Sequence, residues 1–291
     1  MKFSNPSNLV WIGLFILSIS SAIAQNVIRV DNNPDATGAD YTNLLDAYNA
    51  ASAGDTLLLV ASPTPYGDAN DAYSFTLTKK VHLLGEGTGA NPEGIGGVSN
   101  SIRTRMGPLD VKFGAEGASI QAIYFDGAKL NGAFQSQVRI FTSKVLVARC
   151  GLDAIFLKDD SGTKTFATNC VIIQNFFVRE ASINDVGGVF IETQCNNNII
   201  ANNILPYIAG TNDNINTIIR NNTIYGTSFR RNEVLDAFGA DMKNNIIIQT
   251  RIDGNVDPFR VNVGMENNVM TNNLFDFSIT GLDIPFNNNN N

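Results

Sequence analysis

Paired asparagines that return every 23 or 24 residues, the short β-branched runs behind them, and a charged content of only 16% predict an all-β fold. The specific expectation is a right-handed parallel β-helix, a solenoid of about 20–25 residues per coil. The pairs end at Asn198, Asn222, Asn245 and Asn268, at intervals of 24, 23 and 23 residues. Each precedes a strand-forming run: Ile199-Ile200, Thr223-Ile224, Ile246-Ile247 and Val269-Met270. Strands this short cannot bury a face alone, but stacking each on its equivalent in the next coil builds parallel sheets around a shared core. Asparagine suits the corners, because its short side chain tolerates left-handed backbone and its amide can bond from coil to coil.

The elements follow in chain order. Lys2 precedes an apolar run from Leu9 to Ile19, and Ala22-Ile23-Ala24 places small residues where an export peptidase requires them. Residues 1–24 therefore read as a signal peptide whose removal leaves Gln25 first. Its run is shorter than the roughly 20 apolar residues that span a bilayer, and no later segment is a span candidate. The mature chain is expected outside the cytoplasm, secreted or at the cell surface, the periplasm included. Residues 25–60 hold an N-terminal strand and an amphipathic helix, Tyr41 to Ala51. The helix has Leu44, Leu45, Ala47, Tyr48 and Ala51 on one face, Asp40 or Thr42 as its cap, and Gly54 as a stop. Its expected task is to cover the open end of the solenoid core. Asp55 to Val60 then reads as a buried strand.

Residues 61–286 read as the solenoid. Weaker echoes of the repeat run through Ala118–Phe125, Lys144–Cys150 and Thr168–Ile173, with a loop-like insert at Lys158–Lys164. The chain ends in a poly-Asn tail, Asn287–Asn291, without an evident capping helix, so an exposed last coil would invite self-association. A net charge of −7 argues against nucleic acid as a partner. Acidic polysaccharides remain open, through a local cluster of Arg or Lys.

The stretch Ala36-Thr37-Gly38-Ala39-Asp40-Tyr41 through Ala53-Gly54-Asp55-Thr56-Leu57-Leu58-Leu59-Val60 resembles the opening of pectin-lyase-like β-helix proteins, and Tyr66-Gly67 with Phe75-Thr76-Leu77-Thr78-Lys79-Lys80 through Gly85-Glu86-Gly87 resembles their next turns. With the Asn-rich coils, the resemblance covers most of the mature chain. It implies the fold and leaves the activity open, because lyases, hydrolases, esterases, adhesins and non-catalytic members share that fold. The paired Asp and Gln donors of pectin methylesterases and the Asp clusters that hold calcium in pectate lyases have no counterpart. Asp159-Asp160 is the one adjacent acidic pair, and it reads as a solvated corner. No cofactor or metal is implied, with calcium left open.

Among candidate side chains, the single His82 lies between Val81 and Leu83 and reads as a half-buried structural residue. Cys150, Cys170 and Cys195, at intervals of 20 and 25, could stack in one column; parallel Cβ vectors oppose a disulfide, so free buried thiols are expected. The segment with most chemical character is Arg230-Arg231-Asn232-Glu233-Val234-Leu235-Asp236. Arg230 and Arg231 could neutralise a uronate carboxylate while Glu233 or Asp236 takes a proton; the competing reading is a surface salt-bridge loop. Arg179-Glu180 and Arg251 could line the same face. The leading functional reading is a secreted, non-catalytic protein that binds carbohydrate or a cell surface. A polysaccharide lyase and a structural stalk or adhesin are the alternatives. A lyase requires Arg, Lys and carboxylates converging on one sheet, whereas a binding protein requires exposed aromatics or Asn ladders.

Overall fold

A computed structural model describes residues 25–71, 73–86, 103–125, 136–160, 162–177, 187–210, 216–226, 235–236, 240–249, 269–271 and 274–277. Residues 1–24, expected to be a signal peptide, the poly-Asn tail, Arg179-Glu180, Arg251 and residues 230–234 lie outside them. Among the described residues, three all-parallel sheets of ten, eight and seven strands hold nearly every strand. The chain visits them in turn. Leu146–Ala148 belongs to the first sheet, Gly151–Leu152 to the second and Ala154–Leu157 to the third; Val171–Ile173 then returns to the first. This repeated circuit is the expected all-β parallel solenoid.

Alternation along each strand sends one side chain inward and its neighbours out. On the first sheet Leu57, Leu83, Ile120, Val147, Ile172, Ile200, Ile219 and Met242 lie in register from coil to coil, all fully buried. Asp55–Val60 is accordingly a strand at Thr56–Leu59 that buries only alternate residues, Leu57 and Leu59.

The corners explain why asparagines come in pairs. The first residue after each of six successive first-sheet strands, Ser119–Gln121 to Asp241–Lys243, is left-handed: Ala122, Arg149, Gln174, Asn202, Asn221 and Asn244 have φ between +55° and +58°. The next residue turns inward, and from Asn175 onward it is asparagine. The N–H groups of Cys150, Asn175, Asn203 and Asn222 donate to Oδ1 of Asn175, Asn203, Asn222 and Asn245 at 2.9 to 3.0 Å. Each of the last four side chains also donates Nδ2 to a carbonyl on the first sheet, of Val147, Ile172, Ile200 and Ile219 respectively. The first Asn of a pair thus serves the backbone angle and the second serves a buried amide ladder.

This ladder corrects the apparent period. Asn222 and Asn245 stand in the corner between the first and second sheets, but Asn198 stands in the corner before the first sheet, where its Oδ1 accepts from Cys170 N–H at 2.9 Å. Asn268 likewise precedes a first-sheet strand, Val269–Thr271. The equivalent positions are Asn175, Asn203, Asn222 and Asn245, spaced 28, 19 and 23 residues apart. The steady interval mixes two corners; real coils vary with the loops between sheets. Nor do the cysteines share one column. Cys150 belongs to the ladder corner, Cys170 to the corner before the first sheet, and Cys195 to the preceding turn. All three are buried and free.

Helix α1 spans Leu44–Ala50, shorter than expected, and its cap is Asn43, whose Oδ1 accepts from the N–H of Leu45 (2.7 Å) and Asp46 (3.3 Å). Leu44, Ala47, Tyr48 and the following Ala51 join the core, whereas Leu45 is 55% exposed and falls off the buried face. Lys79 Nζ donates to the carbonyls of Tyr48 and Ala51, both at 2.6 Å, tying the helix C-terminus to a coil of the solenoid.

Candidate binding face

The outer face of the third sheet gathers aromatic and charged side chains from five consecutive coils. Its central outward column runs in register through Thr76, Asp110, Arg139, Phe156, Phe190 and Ala209. The residues between them, such as Val111, Ile140, Leu157 and Ile191, face the core. A second outward column follows each strand: Lys112, Phe141, Lys158 and Glu192. Its N–H groups continue the ladder, donating to Leu77, Val111, Ile140 and Leu157 in that order.

Neighbouring coils hold these side chains against one another. The Phe156 and Phe190 rings stack with centroids 4.9 Å apart and planes 13° apart. Tyr207 tilts against Phe190 at 5.8 Å. The close approach needs Gly188 (φ +142°), where an added Cβ would stand 2.1 Å from the Tyr207 carbonyl oxygen. Every cation of the two columns already has a carboxylate. Arg139 Nε meets Asp110 Oδ1 at 2.5 Å, Lys112 Nζ lies 3.7 Å from Asp110 Oδ2, and Lys158 Nζ meets Glu192 Oε1 at 2.5 Å. Lys158 and Lys112 also lie over the rings of Phe156 and Phe141, 5.8 and 6.0 Å from the centroids. The result is an apolar strip with an ion-paired border, suited to contacting a ligand along the solenoid axis.

Of the candidates from sequence, Asp236 sits on a two-residue strand, Leu235–Asp236, in register with Ala209 on this sheet. Arg230, Arg231, Glu233 and Arg179-Glu180 lie outside the described residues. Asp159-Asp160 departs from a solvated corner. It pairs with Thr165–Phe166 in a small antiparallel hairpin, and Asp159 Oδ1 is buried without a hydrogen-bond partner, while Asp159 N–H donates to Glu192 Oε2 at 3.2 Å. His82 is half-buried with Nδ1 2.8 Å from Ser119 Oγ. Burial pushes the Cys150, Cys170 and Cys195 thiols up to about 12, which keeps them protonated and unreactive. Among the described residues, no group of three or more His, Cys, Asp or Glu converges as a metal site. None of the described helices is long and apolar enough to cross a membrane.

The fold and this face define a parallel β solenoid with an aromatic outer strip. No protein-family model and no curated protein matches the chain. The strip escaped sequence reading because its repeat is carried by alternation: Leu109-Asp110-Val111-Lys112, Val138-Arg139-Ile140-Phe141, Ile155-Phe156-Leu157-Lys158 and Val189-Phe190-Ile191-Glu192 share one in-out pattern without sharing residues at the outward positions.

Proposed function

We propose that the chain is an exported, right-handed parallel β-helix of the pectin-lyase-like kind, and that the outer face of its third sheet is a non-catalytic surface for binding polysaccharide or a cell-surface glycan. The stacked Phe156–Phe190 pair carries this reading: two half-buried rings held outward on a regular sheet offer apolar area at low ordering cost. The pairing of Arg139, Lys112 and Lys158 with carboxylates favours it over a uronate lyase, whose mechanism needs cations committed to substrate. Right-handed winding is supported by the near-universal hand of parallel crossovers. Helix α1 is proposed as the N-terminal cap, since it packs beside Val27–Val30, the edge strand of the first sheet. Asp236 keeps a lyase as the alternative, because its register places it on the same sheet as the strip.

The test is affinity electrophoresis of the exported chain through gels containing neutral glucans, galactans, pectin or alginate. Retardation by at least one polymer is expected, weakened tenfold or more in a Phe156→Ala/Phe190→Ala variant that keeps its circular dichroism spectrum. Absence of retardation in every gel would sink the binding reading. Release of unsaturated uronate, lost in Arg230→Ala, Arg231→Ala, Glu233→Gln or Asp236→Asn, would install the lyase instead.

A further inference from the structure

A different face carries a hydrogen-bonded row whose donors all point one way. On the outer side of the first sheet, Arg149 Nη2 donates to Gln121 Oε1 at 2.8 Å, Gln121 Nε2 donates to Ser119 Oγ at 3.3 Å, and Ser119 Oγ lies 2.8 Å from His82 Nδ1. Guanidinium has no acceptor, so it fixes the Gln121 amide with its oxygen toward Arg149 and its NH2 toward Ser119. Ser119 Oγ therefore receives a bond from Gln121, which leaves its own proton free to point at His82 Nδ1. In the tautomer with the ring proton on Nε2, His82 Nδ1 accepts that proton. Burial, reinforced by the charge of Lys80, lowers the His82 pKa and so favours this neutral form. His82 and Ser119 are in register on adjacent strands, so their approach is built into the sheet.

We propose that Ser119 and His82 form an acyl-transfer dyad that hydrolyses small esters. Ser119 Oγ bonds to the ester carbonyl carbon as its proton passes to His82 Nδ1, and Gln121 Nε2 is the donor at hand for the oxyanion. Collapse breaks the bond to the alkoxy group, which leaves as the alcohol with the proton from His82. Water then attacks the acyl-Ser119 carbonyl and gives a proton to His82, which returns it to Ser119 Oγ as the acid departs; ester and water become acid and alcohol. Ser119 is only 6% exposed, which restricts the substrate to short acyl groups such as acetyl. Among the described residues no carboxylate bonds to His82 Nε2, so the pair acts as a dyad.

The experiment treats the full chain with a fluorophosphonate probe and locates the adduct by peptide mass spectrometry, with p-nitrophenyl acetate turnover measured in parallel. One adduct on Ser119 is expected, absent from Ser119→Ala and slowed at least a hundredfold in His82→Gln, with both variants retaining a β-rich circular dichroism spectrum. The labelling rate should rise with pH along one ionisation below 6.5, the ordinary value for histidine. Labelling is read with no polysaccharide present, so that this proposal and the binding face fail separately. No adduct, an adduct on other serines, or a Ser119 adduct indifferent to His82→Gln would overturn the dyad.

Discussion

Two adjacent asparagines in one corner have separate duties, and their substitutions should separate accordingly. Asn203 is 1% exposed and its amide makes four bonds: it accepts from Asn175 N–H and Nδ2, and donates to the Ile172 carbonyl and to Asn222 Oδ1. Asn203→Ala strands the Asn175 N–H and the Ile172 carbonyl away from water, at about 1–3 kcal/mol each, so a loss of roughly 2–5 kcal/mol is expected in urea unfolding. Its neighbour Asn202 is exposed and serves mainly the φ of +56°, so Asn202→Ala should cost only about 1 kcal/mol, the strain of a left-handed alanine. Equal losses would contradict this division. Thr217 shows the converse. It occupies the corner position equivalent to Asn198, is 1% exposed, and its Oγ1 has no hydrogen-bond partner. Thr217→Val keeps the shape and removes the orphan hydroxyl, and should raise stability by about 1 kcal/mol in the same assay. The chemistry of the corners was legible in the asparagine pairs; which corner each pair occupies was not. Asn197-Asn198 and Asn221-Asn222 look alike in one dimension, and only strand register distinguishes them.

At the scale of elements, each strand is legible through its inward residues, while its outward residues become meaningful only beside the neighbouring coil. His82 looked like a lone structural histidine because Ser119, Gln121 and Arg149 lie on other coils, the nearest of them 37 residues away. The Phe156–Phe190 stack is hidden for the same reason, with 34 residues separating rings that touch. Helix α1 was visible from its spacing, but its cap and exposed Leu45 depend on how Asn43 enters the turn. The first-sheet row has a consequence for pH. The folded pKa of His82 lies below the unfolded value of 6.5, so as pH falls through 6.5 the unfolded chain takes up the proton first and stability declines. The contribution is fully present above 6.5 and is lost progressively toward the lower folded value. Urea midpoints at pH 7.5 and 5.5 should therefore differ more for the natural chain than for His82→Gln, in which this titration is gone. An unchanged difference would show that other groups control the acid limb.

For the whole molecule, the parallel circuit makes stability a sum over neighbours rather than a property of one global core. Ile219 is fully buried and lies in register between Ile200 and Met242, so Ile219→Ala opens a cavity felt directly by only two adjoining coils. An aliphatic-to-alanine change in such a position costs about 2–5 kcal/mol. In a compact core packed in all directions, that loss would lower the opening free energy of every strand together. In a solenoid with nearest-neighbour coupling, the damage should stay local. Hydrogen exchange followed by mass spectrometry should show faster exchange at Ile199–Ala201, Ile218–Arg220 and Asp241–Lys243. Protection at Val27–Val30, Thr56–Leu59 and His82–Gly85 should be retained, because several intact coils and the ties from Lys79 to helix α1 separate them from the cavity. Uniform loss of protection from Val27 to Lys243 would mean that the coils unfold as one cooperative unit. In that case the aromatic strip and the Ser119–His82 row would share a single stability, and a cavity at either end would disrupt both.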